Sequence, residues 1–193
     1  MDMQSLSGGF TNPPQDSSRA FRAALETLAR PGTIHDISGA KAPAPVSEAA
    51  ATLILTLCDP ETPIYLAGAH DTPDIRDWVA FHIGAPLVGP EQAMFALGTW
   101  EALFPITVFP IGTPEYPDRS TTLIVEMDAL NQDGMRLSGP GIKDSAMLAL
   151  PDLAPFQMNA GLFPLGLDFY FTAGTRLAGL PRTTNVSDLM EAN

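Results

Sequence analysis

The sequence predicts an α/β protein in three layers, a mixed sheet with helices on both faces. Three observations predict it. In the first half, capped helices alternate with short apolar strands, the pattern of α/β layering. The second half is richer in strands. Proline and glycine number 19 and 16 and are spread along the whole chain, so they punctuate many short elements rather than form a linker. The 193 residues fit one domain, residues 1–193, with enough chain to bury a sizeable core.

The clearest helix is DSSRAFRAALETLARPG, Asp16 to Gly32. Asp16 or a neighbouring serine can cap it, Phe21, Ala24, Leu25 and Leu28 form its apolar stripe, and Pro31-Gly32 ends it. Thr33 to Ile37 reads as a short strand and Gly39 to Pro45 as a loop. Ser47 is placed to cap a second helix from Glu48 to about Leu57, apolar nearly all round. Pro63 to Leu66 reads as a buried strand. Thr72 followed by Pro73 is a cap with proline in the first turn. The helix it starts runs to about His82, with Ile75, Trp78, Val79 and His82 on one face.

Leu87-Val88 and Met94 to Leu97 are expected as strands and Trp100 to Leu103 as one helical turn. Ile106 to Phe109 fits no single class. Thr121 to Met127 is an apolar strand, followed by strands at Met135 to Leu137 and Met147 to Leu150. Asp152 to Ala160 is a weaker helix. Leu167 to Phe171 and Arg176 to Leu180 close the chain as a strand pair joined through Ala173-Gly174.

Charge excludes one class of function. Ten Lys and Arg against 22 Asp and Glu give a net charge of −12, and no basic cluster exists to bind nucleic acid. The single cysteine, Cys58, lies in an apolar run and reads as a small buried hydrophobe. No charged segment with an apolar core opens the chain, so no signal peptide is expected, and the apolar run from Ala49 to Leu57 is too short to span a bilayer, so the cytoplasm is expected. His35, His70 and His82 are far apart in sequence and lack metal-ligand spacing. There is no Gly-x-Ser-x-Gly elbow, Walker sequence or dinucleotide fingerprint. Gly139-Pro140-Gly141 reads as a tight turn rather than a phosphate cradle.

Two polar segments remain. In GTPEYPDRSTTLIVEM, Gly112 to Met127, Pro114 and Pro117 stiffen a turn that carries Glu115, Tyr116, Asp118 and Arg119 ahead of the strand. Arg119 has a planar fork suited to a carboxylate or phosphate, with Glu115 or Asp118 within reach. An internal ion pair that fixes the loop is favoured over a ligand or partner contact. In LPRTTNV, Leu180 to Val186, Arg182, Thr183 and Thr184 set a guanidinium beside two hydroxyls. That chemistry suits an anion, a partner's carboxylate or main-chain tethering.

Taken in order, DSSRAFRAALETLARPG, LILTLCDPETPIYL, FHIGAPLV, GTPEYPDRSTTLIVEM, LSGPGI, FPLGLDFYF and LPRTTNV resemble the PhnH family of the carbon–phosphorus lyase system, over nearly the whole chain. The resemblance implies a fold related to the pyridoxal-phosphate-dependent transferases but without that cofactor, which agrees with Lys41 and Lys143 having no convincing Schiff-base setting. No metal is expected from the spacing above and no cofactor from the resemblance, which further implies a homodimer and partnership with PhnG, PhnI and PhnJ. With PhnL, that complex joins a phosphonate to C1 of the ribose of ATP and displaces adenine. The nucleosidase chemistry belongs to PhnI and the radical carbon–phosphorus cleavage to PhnJ. One cysteine cannot ligate an iron–sulfur cluster, which fits a non-radical subunit. The expected role is therefore a scaffold subunit in phosphonate catabolism, with Glu115, Tyr116, Asp118, Arg119, Arg182, Thr183 and Thr184 as binding or subunit-contact candidates. The rival is an autonomous anion-binding enzyme acting on a phosphorylated small molecule, with Arg119, Arg182 and Thr183 lining its pocket.

Overall fold

The first helix, α1, runs Pro13–Ala29 in the computed structural model, which describes residues 7–188. It starts three residues before Asp16. Two prolines in a first turn cost no hydrogen bond, so Pro13-Pro14 open the helix instead of blocking it. Asp16 sits inside the helix, and its Oδ2 accepts from the Asn12 N–H at 2.8 Å. The buried face is also rotated from the expected one. Ala20, Ala24 and Thr27 are buried, whereas Phe21 and Leu25 are 48% and 52% exposed. The cause is close approach to the sheet. A Cβ on Gly179 would come within 3.0 Å of the main chain at Thr27 and Leu28, so only small residues fit between this helix and its neighbours.

Three of the remaining helices follow their caps. Helix α2, Glu48–Leu57, starts where Ser47 Oγ accepts from the Ala50 N–H, and α3, Pro73–His82, where Thr72 Oγ1 accepts from Ile75. The single turn α4, Trp100–Leu103, is capped by Thr99. Helix α5, Ala154–Ala160, is short and has no side-chain cap.

The strands are β1 Ile34–Asp36, β2 Ile64–Leu66, β3 Phe95–Thr99, β4 Thr122–Glu126, β5 Met135–Ser138, β6 Ala146–Leu148, β7 Asp168–Ala173, β8 Arg176–Leu180 and β9 Asn185–Ser187. Six of them form a mixed sheet in the order β1-β8-β7-β4-β3-β2. Strands β2, β3, β4 and β7 run parallel, and β8 is antiparallel to both β7 and β1. Leu87 makes only an isolated parallel bridge to Ile64, and Ile106–Val108 is a 3-10 turn. Strands β6, β5 and β9 form a separate antiparallel sheet.

Period-two alternation sends successive residues of the large sheet to opposite faces. Ile64, Leu66, Leu97, Ile124, Tyr170 and Leu177 join one core with α1, α2 and α3. Ala96, Leu123, Val125, Phe169, Phe171 and Leu180 join a second core, with Trp100 and Leu103 of α4, Phe156 of α5 and Leu137, Leu148 and Val186 of the small sheet. Helices therefore cover both faces, and the small sheet shares the second face. Cys58 is buried, and burial pushes its thiol well above the usual range.

Candidate functional site

Strand pairing brings the two polar segments together. In the β7–β8 ladder Phe169 faces Leu180, so the chain leaving β8 passes the start of β7. There the Arg182 main-chain N–H donates to Asp168 Oδ1 at 2.8 Å, and its guanidinium grips the same carboxylate through Nε at 3.2 Å and Nη2 at 2.5 Å. The fork then reaches across to the other polar segment. Nη1 donates to the Pro117 carbonyl at 2.7 Å and Nη2 to Ser120 Oγ at 2.5 Å, with the Pro164 carbonyl 3.5 Å from Nη1. Only 12% of the Arg182 side chain is exposed. One arginine thus fastens the start of β7, the loop ahead of β4 and the chain before β9.

That loop is closed on itself. Ile111 and Ser120 bridge its ends, Thr113 and Tyr116 exchange main-chain hydrogen bonds, and the Arg119 N–H donates to the Tyr116 carbonyl. Gly112, at φ +83°, is needed for its closure, because a Cβ there would lie 2.6 Å from the Pro117 oxygen. The ion pair expected between Arg119 and Glu115 or Asp118 is not among the ion pairs of the described residues. Arg119 instead lies 4.1 Å from the centroid of the Tyr116 ring, a cation–π contact. The prolines hold the chain in a turn that points Glu115, Tyr116, Asp118 and Arg119 outward to solvent.

Thr183 and Arg182 border an open cavity of about 270 Å³ with Pro140, Ala160, Phe163 and Asn185. Arg119 is not part of it. The turn Gly139-Pro140-Gly141 approaches the same segment, since a Cβ on Gly139 would sit 2.9 Å from the Thr183 oxygen. Thr184 is buried; its N–H donates to the Pro181 carbonyl and its hydroxyl has no partner within the described residues. The structure therefore joins Arg182 to the base of the 112–120 loop and sets Thr183 beside it on the open cavity. It keeps Glu115, Tyr116, Asp118 and Arg119 on the outer surface.

Two features went unnoticed in the sequence. The first is Glu126 at the end of β4. Its Oε1 accepts from the Ser47 N–H at 2.7 Å and its Oε2 from Thr172 Oγ1 at 3.0 Å, tying the start of α2 to β4 and β7. Burial raises its carboxyl above the ordinary glutamate range, and the bonds from Ser47 and Thr172 oppose that shift only in part. The folded state then binds this proton more tightly than the unfolded chain does. The group's contribution to stability is fully present below the unfolded-state value and is lost as pH rises through the higher folded-state value. Glu126→Gln is accordingly expected to gain stability relative to wild type as pH rises through that window, read as a growing difference in Tm between about pH 4 and pH 8. A constant difference would contradict it.

The second is a cavity of about 410 Å³ beside β2. Tyr65, Asp71, Arg76 and Gln92 line it, and the guanidinium of Arg76 is already paired with the Asp71 carboxylate, which holds that carboxyl below its usual range. His70 is buried beside Asp71 in sequence, with both ring nitrogens unpartnered among the described residues, and burial lowers its basicity. His82, expected in a core or an interface, is half-buried and packs between Trp78 and Phe81, with Nε2 3.2 Å from the Ser7 oxygen. Among the described residues no group of three His, Cys, Asp or Glu side chains is placed to hold a metal, and no helix is long and apolar enough to cross a membrane.

Comparison with known proteins identifies the family. The profile of the family described as "Bacterial phosphonate metabolism protein (PhnH)" matches residues 8–187. The chain belongs to the PhnH family. Within it, the chain is 41% identical to the alpha-D-ribose 1-methylphosphonate 5-triphosphate synthase subunit PhnH of Rhizobium meliloti (strain 1021), across 95% of this chain and 96% of that protein. It is 27% identical to the putative C-P lyase subunit protein HtxG of Stutzerimonas stutzeri, across 87% of this chain and 84% of that one. Both of these relatives are named as subunits, and the family's description agrees with the phosphonate chemistry that the resemblance implies.

Proposed function

We propose that this PhnH-family chain is a docking subunit of the complex that joins a phosphonate to the ribose of ATP and releases adenine. What supports this reading is the state of Arg182. Its guanidinium, the one of the two in the polar segments that borders a cavity, is bonded to Asp168, Pro117 and Ser120 of its own chain. A pocket arginine reserved for substrate would keep its fork free for bidentate contact. Here the fork serves to stiffen the loop that carries Glu115, Tyr116, Asp118 and Arg119, and we assign those exposed groups, with Thr183, to contacts with other subunits. The buried Thr184 supports the turn beneath them.

The partners in this reading are PhnG, PhnI, PhnJ and PhnL, alongside self-association as a homodimer, in the cytoplasm. Kinship of the fold to the pyridoxal-phosphate-dependent transferases, without their cofactor, is part of the same proposal and rests on the family resemblance alone. The test is co-expression with the partner subunits. The wild-type chain should co-purify with them, and Arg119→Ala should weaken that association while leaving Tm within about 1 °C of wild type, because exposed substitutions change stability little. Failure of the wild-type chain to associate, together with tight binding of ATP or a ribose phosphate by the isolated chain, would replace this reading with that of an autonomous anion-binding enzyme.

A further inference from the structure

The edge of the large sheet at β2 is open over a single residue. In a parallel ladder, successive residues of a strand turn their main-chain groups to opposite sides. The Phe95 N–H donates to the Pro63 carbonyl and the Ala67 N–H to the Leu97 carbonyl, so residues 63, 65 and 67 face β3. Ile64 and Leu66 face the other way. Both outward groups of Ile64 are taken, its N–H by the Pro86 carbonyl and its carbonyl by the Val88 N–H. The chain then leaves the edge at Gly89 and enters the 3-10 turn Pro90–Gln92. The bridge at Leu87 therefore stays isolated, and Leu66 has no main-chain partner on that side among the described residues. Beyond it, Gly68, at φ +57°, ends the strand in a 3-10 turn, its carbonyl accepting from the Asp71 N–H.

The cavity of about 410 Å³ lies in this opening, with Leu66, Val88 and Gly89 in its wall. Its volume is that of a small-molecule site. Leu66 is 5% exposed. A main-chain N–H and C=O on so buried a residue call for partners, because each has given up its hydrogen bonds to water. Three features decide what can pair with them. The two groups sit side by side on one extended residue, so they match a ligand that carries an acceptor next to a donor. The opening is too short for an added strand, which gains its affinity from a row of main-chain bonds. The charged side chains in the wall, Asp71 and Arg76, neutralise each other: Arg76 Nη2 donates to Asp71 Oδ2 at 2.8 Å and Nε to Oδ1. The cavity thus presents no net positive charge to a phosphate. Leu87 and Val88 add apolar wall suited to a flat ring.

We infer that this cavity binds an amino-substituted nucleobase of the adenine type. The ring nitrogen accepts from the Leu66 N–H, the exocyclic amino group donates to the Leu66 carbonyl, and the ring lies against Leu87 and Val88. The inference goes beyond the subunit reading and does not depend on it.

The probe is adenosine, titrated into the isotope-labelled full-length chain and followed through its main-chain amide resonances. The Leu66 amide should shift and saturate, with a Kd on the order of 0.1 mM for a ligand of this size. N6,N6-dimethyladenosine cannot donate from its amino group and leaves the Leu66 carbonyl unpaired, so it should bind about tenfold more weakly or worse. ATP should bind no better than adenosine, since the wall has no charge to spare for its phosphates. Val88→Phe, at a half-buried position, fills the cavity and should weaken adenosine about tenfold or more. Should that variant fail to fold, the two nucleosides and the Leu66 resonance still decide. A Leu66 amide that does not move at millimolar adenosine would overturn the inference. So would equal affinity for the dimethylated nucleoside, because the edge of the base would then not be read, or wild-type affinity in folded Val88→Phe. None of these outcomes touches association with partner subunits, which is measured separately, so the subunit reading survives a failure here.

Discussion

Arg182→Ala should lower the stability of the isolated chain by about 3–5 kcal/mol, the usual cost of removing one partner from a buried ion pair. At roughly 2–4 °C per kcal/mol for a protein of this size, that is a fall in Tm of about 6–20 °C. The substitution leaves the Asp168 carboxylate, itself largely shielded, with only the main-chain N–H of residue 182 as a donor, and it frees the Pro117 carbonyl and Ser120 hydroxyl. Three segments lose their common fastening in one step.

Arg182→Lys should recover only part of the loss, because an ammonium cannot reproduce a planar fork that donates to a carboxylate and a carbonyl at once. Asp168→Asn should fall between wild type and Arg182→Ala, and a double-mutant cycle between the two positions should report strong coupling. Thermal unfolding followed by circular dichroism measures all of these. A drop of less than about 1 kcal/mol for Arg182→Ala, the range of exposed ion pairs, would show that the arginine is not structural. The consequence for function is direct. Reduced activity of a complex containing Arg182→Ala is expected from loss of shape alone and is no sign of contact with substrate, whereas reduced assembly of Arg119→Ala cannot be explained in that way.

Phe156→Ala should cost a similar amount, about 3–5 kcal/mol, as removal of a buried phenyl ring typically does. Phe156 is buried against Trp100 with ring centroids 5.0 Å apart, and against Phe169 and Phe171 at 5.0 Å and 5.9 Å. Aromatic pairs of this kind add roughly 0.5–1.5 kcal/mol beyond their area. Helix α5 has only seven residues and no side-chain cap, so burial of this ring, not intrinsic propensity, holds it in place. Against a typical total of 5–15 kcal/mol, the loss is a large share of the stability of the fold. Urea unfolding monitored by tryptophan fluorescence should show a lower midpoint with an unchanged slope. Phe156→Leu, which keeps most of the volume, should lose less. An Ala variant with the wild-type midpoint would mean that α5 is held by something else.

The helices that could be placed from sequence were those with local chemistry at their ends. Ser47 and Thr72 cap where expected because a hydroxyl before a helical run has one main-chain partner, three residues on. The α1 face was not legible. Its apolar pattern fits Phe21 and Leu25 on the buried stripe, and only the approach of Gly179 on β8 turns the small residues inward instead. Strand β9 escaped because Asn185, Val186 and Ser187 are too few to show a period. At the site, the segments were visible but not their partners. Nothing local links Arg182 to Asp168, fourteen residues earlier, or to Pro117, 65 residues earlier; the β7–β8 register and the closure of the 112–120 loop do so. Arg119 had carboxylates nearby in sequence, yet the turn sets it over Tyr116. Nothing local marks Glu126, at the end of β4, as the partner of Ser47, 79 residues earlier.

The central claim is that this chain contributes to phosphonate chemistry by its shape and contacts, with the reaction carried by its partners. The most direct measurement is release of adenine from ATP and a phosphonate by the partner subunits, assayed without this chain, with it added back, and with this chain alone. The account predicts turnover that depends on adding the chain to its partners and none from the chain by itself. Full turnover without it, or adenine released by the isolated chain, would contradict the account.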